Sequence, residues 1–383
     1  RSNGSIGRRN SIPIIHARGT HYEIGFDIGR TFASLIQNYV KNYSPLNDVS
    51  LPLYETDAGR KVYEETLDCV REQFPQYLRE IQGTADGAKV PFHKVIPAGG
   101  EIGGKRRTHF FVISPTAEIL GHTEDALGAT LNHWYLVSAH VVEEGLREEK
   151  FTSLSYAGFL PGYTMGYNHH GLVYSINTLS AKKLRSGKTP RYFITRSLLG
   201  VENFVQAQKT LRNEGYGAAE GFSVNMTFLT QEGDRMFHNA EVGPVEPNAT
   251  ESQLSVLTAS PGEQFFHCNK YLRLRVSEDD GPIIPSSEHR MAAISRHPPA
   301  KTRQDIINIL GDQTDNEYRV FQEFGPDDPI KTIAVGIFDC IEKTWSIYTD
   351  NPKTNDPVVV ISLQLNNNNT INVSKNPTPV IGN

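Results

Sequence analysis

From residue 108 onward the sequence is a succession of short strand-like runs, and this pattern restricts the fold more than any other feature. The runs 109–113 and 118–122 flank the turn sequence Ser-Pro-Thr-Ala, so they predict a β-hairpin. Further strand-like runs occupy residues 133–142, 151–157, 162–168, 172–177, 222–229, 235–240, 253–258, 331–338, 344–349 and 357–363. So many short strands in one chain predict two sheets packed face to face.

Helical segments precede and interrupt these strands. A short strand is expected near residues 12–16, and Thr20 and Glu23 then have the spacing of a capping box before a helix that reaches residue 39. Apolar residues at helical spacing predict further helices over residues 55–82, 201–213 and 302–311, with Pro75 as a kink in the first of these. We therefore expect an α+β domain over residues 13–365, with helices outside the two sheets. Residues 1–12 are expected to be a flexible arm, and the Asn-rich residues 366–383 a disordered tail.

Composition excludes several function classes. The chain has 383 residues, of which 38% are hydrophobic, but no apolar run is long enough to span a membrane. A net charge of −5 argues against a nucleic-acid partner, which needs a basic face. Three scattered cysteines are too few for a zinc cluster or a disulfide scaffold, so we expect no metal and no cofactor. The oligomeric state stays open.

Two features of the sequence bear on localisation. The sequence begins at Arg1 rather than at a methionine, and it contains six Asn-x-Ser/Thr glycosylation sequons. We expect an extracellular protein, with a cytoplasmic one as the alternative. Asn225 is a weaker acceptor because it lies in a strand-like run, and Asn42 is weaker because Pro45 follows its sequon. The candidate acceptors are Asn3, Asn42, Asn225, Asn248, Asn368 and Asn372.

Common catalytic motifs are missing from the sequence. It contains no dinucleotide-binding G-x-G-x-x-G after a strand, no phosphate-binding P-loop, no H-E-x-x-H and no G-x-S-x-G. His122 with Glu124 and Asp125 could suggest metal ligands, but a turn with satisfied polar groups is the simpler interpretation. Adjacent His169 and His170 would face opposite sides of a strand and could not share one metal ion.

Several stretches, taken together, do point to a family. They are His16-x-Arg18-Gly19-Thr20-x-Tyr22-Glu23, Ile119–Ala126, Ala157–Gly162, Met165–Leu172 and Lys331–Asp339. Over residues 12–365 the chain resembles the acyl-CoA:6-aminopenicillanic acid acyltransferase-like family of N-terminal-nucleophile (Ntn) hydrolases. Within that family it is most similar to the insect hydrolases that split N-β-alanyl-dopamine and related amides.

The resemblance implies a four-layer αββα fold, with two antiparallel sheets between helical layers. It also implies that a Gly-Cys bond cuts itself, after which the new N-terminal Cys acts as nucleophile and its amine as general base. Residues 13–107 would then form the smaller subunit and residues 108–365 the larger. The family places an Asp about 18 residues after the Cys, and Asp125 matches it, so the nucleophile would fall at position 107.

Position 107 is an arginine, which has no lone pair for attack and stays protonated. Asp125 and Asn269 match the family's remaining catalytic residues, Asn269 as the group that stabilises the oxyanion. Two readings stay open for these residues. They form a pocket retained without its chemistry, or they only satisfy buried backbone groups. His122 and Glu124 are further pocket candidates, and an Arg107 guanidinium paired with Asp125 or Glu124 would plug the site.

Three functions follow from these expectations. The first is a non-catalytic, unprocessed homologue that binds a small amide, amine or pigment in the former acyl pocket. The second is an active amidohydrolase or acyltransferase on N-acyl (β-alanyl) amines that uses Thr108 after cleavage at Arg107–Thr108, although strand alternation would turn Thr108 away from the face of position 107. The third is a secreted storage or structural protein.

Overall fold

The computed structural model describes residues 7–95, 106–323 and 329–366. In these residues the larger sheet has eight strands in the order β1-β4-β5-β6-β7-β8-β9-β10. Their bounds are β1 Ile14–Gly19, β4 Trp134–Val141, β5 Glu149–Tyr156, β6 Met165–Asn168, β7 Leu172–Leu179, β8 Gly221–Phe228, β9 Phe237–Gly243 and β10 Gln253–Ala259. All its pairings are antiparallel except the one between β1 and β4. That pair is parallel because the chain crosses over between the two strands through helices.

The smaller sheet has six strands in the order β11-β2-β3-β12-β13-β14. Their bounds are β2 Arg106–Ser114, β3 Ala117–Leu127, β11 Gln264–His267, β12 Ile330–Asp339, β13 Thr344–Tyr348 and β14 Val359–Ser362. The predicted hairpin is β2 and β3, and each strand is longer than the sequence indicated. The other strands lie within a few residues of their predicted positions, but the sequence did not predict the short β11.

The α-helices in the described residues are α1 His21–Thr31, α2 Ala33–Asn42, α3 Leu51–Tyr54, α4 Asp57–Gln73, α5 Pro75–Ala88, α6 Arg191–Leu198, α7 Phe204–Arg212, α8 Ile283–Ser295 and α9 Arg303–Leu310. The capping box at the start of α1 is present, with Thr20 and Glu23 each bonded to the other's backbone amide. The helix predicted over 55–82 is two helices, because Pro75 starts a new helix at its first position instead of kinking one. The sequence did not predict α6 or α8.

Three apolar clusters show how the layers pack. Helices α1 and α2 bury Ile24, Ile28 and Ile36 against the outer face of the larger sheet, where Tyr135 and Val137 lie. A second cluster fills the space between the two sheets, and a third lies between the smaller sheet and helices α8 and α9. The molecule is therefore layered α-β-β-α, which confirms the predicted fold class.

The glycines of α1 allow close packing against α5. Gly25 and Gly29 face Gly83 and Gly87 of α5, and a Cβ atom at Gly25 would overlap the carbonyl of Glu80. The two helices can therefore cross with their backbones in contact only while these positions lack side chains.

Residues 7–12, which belong to the predicted flexible arm, contact both sheets. The Arg8 guanidinium donates to the carbonyls of Thr332 at 2.6 Å and Thr349 at 2.8 Å, and Arg9 donates to the carbonyl of Asn132 at 3.2 Å. These contacts fasten the segment across the ends of strands from both sheets. Residues 1–6 and the predicted tail from residue 367 lie outside the described part of the chain.

Candidate active site

The β2–β3 hairpin brings most of the predicted site residues to one place. Its register pairs Thr108 with Thr123, position 107 with Glu124 and position 106 with Asp125. The Thr108 amide donates to Thr123 Oγ1 at 3.1 Å, and the Thr123 hydroxyl in turn donates to Asp125 Oδ2 at 3.3 Å. Thr108 and Asp125 therefore share one face of the sheet. By register, position 106 and not position 107 is the direct neighbour of Asp125.

Asp125 is fully buried and is held from the neighbouring strand. Thr332 is its partner in the β12–β3 register, and the Thr332 hydroxyl donates to Asp125 Oδ1 at 2.6 Å. The register shifts between Thr332 and Ala334, which is the signature of a β-bulge next to the carboxylate.

A buried arginine on α8 joins these residues to Asn269. Arg290 Nη1 donates to Thr108 Oγ1 at 2.9 Å, and Nη2 donates to Asn269 Oδ1 at 2.8 Å. Nη1 also lies 3.9 Å from Asp125 Oδ2, and Nε donates to the carbonyl of Ser286 at 3.1 Å. Sequence reasoning missed Arg290 because the helix that carries it was not predicted. Its only sequence signal is an arginine three residues after Ser287 in the pair Ser286-Ser287.

Asn269 follows strand β11 and is also tied down by its own partners. Its Nδ2 donates to the carbonyl of Thr178 at 2.9 Å, and its amide donates to Ser287 Oγ at 3.0 Å. The neighbouring thiol of Cys268 lies 3.8 Å from Thr108 Oγ1, and burial raises the pKa of this thiol. We call the set Thr108, Asp125, Asn269 and Arg290 the polar network; all four side chains are fully buried.

Glu241 of β9 supports the segment on both sides of Asn269. It accepts a hydrogen bond from the His267 ring at 2.9 Å, and it accepts from the amides of Leu272 at 2.6 Å and Leu274 at 2.8 Å. Burial alone would raise the pKa of Glu241, but these hydrogen bonds outweigh it and lower the pKa to about 2. A fixed carboxylate therefore anchors both ends of the segment that presents Asn269.

His122 and Glu124 lie on the opposite face of the same sheet. His122 Nε2 is 2.9 Å from Glu124 Oε2, and the Tyr156 hydroxyl donates to the other oxygen of Glu124. The expectation that they lie in a turn is wrong, because both belong to β3 and point between the sheets. In the described part of the chain, no group of three or more His, Cys, Asp or Glu side chains is arranged to hold a metal ion.

Other predicted positions fall outside the network or outside the described residues. The side chains of Arg106 and Arg107 are not among the described ones, so the predicted plug stays a prediction. Asn225, one of the predicted glycosylation sites, is fully buried in β8, and its Nδ2 donates to Asn177 Oδ1 at 3.1 Å. Asn42 and Asn248 are exposed, whereas Asn3, Asn368 and Asn372 lie outside the described ranges. All three cysteines are free thiols.

The network has a definite chemical capacity. A buried guanidinium and an amide beside it can stabilise negative charge on a carbonyl oxygen, because both act in a water-poor environment. The nucleophilic groups in contact are the Thr108 hydroxyl and the Cys268 thiol, and neither begins a chain in the uncut protein.

Comparison with known proteins assigns the chain to a protein family. The family model of acyl-coenzyme A:6-aminopenicillanic acid acyl-transferase matches residues 113–354. The chain belongs to this acyl-transferase family. It is 44% identical over 378 residues to the β-alanyl-dopamine/carcinine hydrolase of Drosophila melanogaster, covering 93% of this chain and 97% of the relative. It is also similar to penicillin V acylase from Agrobacterium tumefaciens, at 12% identity and a TM-score of 0.34, over 63% of this chain and 82% of that one.

Membership of the acyl-transferase family agrees with the resemblance inferred from the motifs. The matched stretch contains Asp125, Asn269, Arg290 and Thr332, but it begins after positions 107 and 108. The family is enzymatic and a close relative is a hydrolase. No helix in the described ranges 7–95, 106–323 and 329–366 combines the length and hydropathy needed to cross a membrane.

Proposed function

We propose that this chain is an uncut member of the acyl-transferase family that binds a small N-acyl amine without hydrolysing it. The observation that carries the proposal is the composition of strand β2, which begins Arg106-Arg107-Thr108 where the resemblance calls for Gly-Cys. No cysteine occurs between Cys69 and Cys268, so neighbouring positions cannot replace the thiol. Cys268 follows a strand within the chain, and burial raises the pKa of its thiol.

The ligand class comes from the relative and from the polar network together. The relative's name indicates β-alanyl amides, which combine a carbonyl with an ammonium group. Arg290 and Asn269 carry N–H groups of the kind that bind a carbonyl oxygen, and a ligand would take the place of their present bonds to Thr108 and to the Thr178 carbonyl. The Asp125 carboxylate is of the kind that binds an ammonium group. A β-alanyl amide therefore matches the network in both polarity and charge.

The burial of the polar network bears on the rate at which a ligand can associate. The network is fully buried, so a ligand reaches it only after the surrounding chain opens. Binding that requires a conformational change is slower than the usual range of about 10⁵–10⁷ M⁻¹s⁻¹. We therefore expect slow association that does not accelerate at low salt.

The test uses the full chain and N-β-alanyl-dopamine. Calorimetry is expected to show one ligand bound per chain, and chromatography of the mixture is expected to show no released dopamine. Asn269→Ala should weaken binding about tenfold, since it removes one buried hydrogen-bonding group. Asn248→Ala, in an exposed turn, is the matched control and should bind as the parent does. Turnover that survives repurification contradicts the proposal.

A second candidate function is favoured by the position of Thr108. Its hydroxyl lies in the polar network, 2.9 Å from Arg290 Nη1. Strand alternation, which we expected to turn Thr108 away from the site, instead places Thr108 on the same face of the sheet as Asp125. In this alternative Thr108 Oγ1 attacks the carbonyl carbon of residue 107 and the peptide bond becomes an ester. Water then hydrolyses the ester to leave the Thr108 amine as general base.

The alternative is distinguished by two variants at one position. Thr108→Ser keeps a hydroxyl and should still cut itself if the alternative is correct, whereas Thr108→Val keeps the shape and should not. If the parent and both variants all stay uncut, the alternative is excluded and the binding proposal stands. If the parent and Thr108→Ser cut themselves and Thr108→Val does not, the chain is an active amidohydrolase.

A further inference from the structure

Four basic side chains form a row across the larger sheet, away from the polar network. Arg18 of β1 is the register partner of His140 of β4, and His140 is the partner of Lys150 of β5. The His169 amide then donates to the Lys150 carbonyl at 2.9 Å, which extends the pairing beyond β6. Register partners on neighbouring strands share a face, so the four side chains stand side by side. We call Arg18, His140, Lys150 and His169 the basic row.

The basic row lies in a groove. The same sheet face carries Leu136, Leu154 and Tyr167 further along, and there it is covered by the smaller sheet. At the row a cavity of about 450 Å³ is open to solvent, and His16 and Ser138 also line it. A second cavity of about 360 Å³ shares Lys150 and His169 and continues past Arg147 and His170. The two cavities adjoin at Lys150 and His169, and we call them together the groove; each has a volume within the range of small-molecule sites.

The charges in the groove are only partly compensated. Glu148 contacts His140 at 2.6 Å and Lys150 at 2.9 Å, and Glu202 pairs with Arg147. The Arg18 side chain is exposed, and no hydrogen bond or ion pair joins it to another described side chain. His170 Nε2 lies 4.0 Å from Glu202, and His140 separates Arg18 from Lys150 in the row, so the uncompensated positive charge of the groove is that of Arg18. It contrasts with the net charge of −5 of the whole chain.

The positive charge in the groove also lowers the pKa values of His169 and His170. Burial lowers the pKa of His169, and Lys150, His140 and His170 lower it further. Burial likewise lowers the pKa of His170, with added effects of Arg147 and Lys150. The remaining charged or titratable groups that line the groove are His16, Arg18, Glu148 and Glu202. An anion in the groove would oppose these effects and favour the protonated imidazoles.

We propose that this groove binds a small soluble anion with two or more phosphate groups and takes up protons as it does so. Arginine, lysine and protonated histidine are the side chains that donate charge-assisted hydrogen bonds to phosphate oxygens. Strands lie about 4.8 Å apart, so four neighbouring strands spread the row over about 14 Å, enough for a chain of phosphates. The site shares no residue with the polar network, and the proposal does not depend on the function of that network.

The test is calorimetric titration of the full chain with inorganic tripolyphosphate at pH 6.0 and pH 8.0. Binding should be at least about fivefold tighter at pH 6.0, as expected when one more imidazolium faces the anion across a solvent-exposed site. The heat at pH 6.0 should change between buffers of different ionisation enthalpy and correspond to net proton uptake, although binding to cations favours proton loss from the terminal phosphates of tripolyphosphate itself. Tripolyphosphate that does not bind, or binds equally at both pH values without proton uptake, overturns the proposal.

Three single variants test whether tripolyphosphate binds at the basic row. Arg18→Gln and Lys150→Gln should each weaken tripolyphosphate binding about fivefold or more, and Arg18→Gln should leave the midpoint of unfolding unchanged because Arg18 has no partner to lose. Lys61→Gln removes the same charge from an exposed position on α4 and is the matched control. If Lys61→Gln weakens binding as much as the row variants do, the effect is one of net charge and the site is rejected.

Discussion

Replacing Arg290 by methionine tests the polar network directly. Methionine fills a volume similar to that of the arginine stem, so the variant removes charge and donors with little change in packing. It leaves Thr108 Oγ1 and Asn269 Oδ1 without the hydrogen bonds of 2.9 Å and 2.8 Å that Arg290 donates. It also leaves the buried Asp125 carboxylate without the guanidinium 3.9 Å away.

The size of the effect follows from these contacts. Breaking a buried ion pair by removing one partner costs about 3–5 kcal/mol. The 3.9 Å separation of Arg290 Nη1 and Asp125 Oδ2 is longer than a direct hydrogen bond, so we take the lower end of that range. Asp125 also keeps the hydroxyl of Thr332 at 2.6 Å. We expect Arg290→Met to lower the free energy of unfolding by about 3 kcal/mol.

The assay is urea unfolding followed by far-ultraviolet circular dichroism, for Arg290→Met, Asp125→Asn and the double variant. Asp125→Asn keeps an acceptor for Thr332 and removes the charge. If the two charges are coupled, the double variant should be more stable than the sum of the single effects predicts, by about 1.5 kcal/mol or more. Effects that add to within about 0.5 kcal/mol would refute the coupling of these two residues.

Three further outcomes are expected. Arg107→Cys should restore self-cleavage if position 107 is the nucleophile site. Arg106→Cys should restore it if the nucleophile site is instead position 106, the register partner of Asp125. Two bands in place of one on a denaturing gel would show the cleavage. Gly25→Ala should destabilise the chain by about 3 kcal/mol or more in urea, since its Cβ meets the backbone of α5. Gly281→Ala should be nearly neutral, since its Cβ would make only an ordinary contact with the Asp279 carboxylate at 3.6 Å. Burial would raise the pKa of Glu80, but Arg196 and His21 lower it to about 2, so its stabilisation is complete above pH 4.5 and is lost as pH falls towards 2. When the free energy of unfolding is measured between pH 5 and pH 2, Glu80→Gln should lose on the order of 3 kcal/mol less stability than the parent. The same pH dependence in parent and variant would argue against the ion pair.

Periodicity predicted the elements that present a regular apolar pattern. The strand β12 and the helix α9 are examples, since nearly every inward position is apolar. Helix α8 escaped prediction because its buried face includes Ser286, Ser287 and Arg290, and because Pro285 lies inside its first turn. Strand β11 escaped because it has four residues and lies at a sheet edge. Where tertiary contacts bury polar side chains, hydropathy does not reveal the element.

The site could be predicted only in part. Asp125 and Asn269 were identified through the resemblance, and the alternation of strand residues correctly separated Thr108 from position 107 in the register. The chain sequence could not reveal Arg290, which reaches the network from a helix more than 150 residues after the hairpin. Nor could it reveal the basic row, because Arg18, His140, Lys150 and His169 become neighbours only through the order of the strands.

The central claim is that the chain stays uncut, and intact-mass measurement under denaturing conditions tests it most directly. The full chain of 383 residues should give one species of 42.7 kDa, before and after prolonged incubation with N-β-alanyl-dopamine. Two species that separate between residues 105 and 109 and together account for the full chain would contradict the claim. That result would identify a self-processing hydrolase, and the residue at the new N-terminus would be its nucleophile.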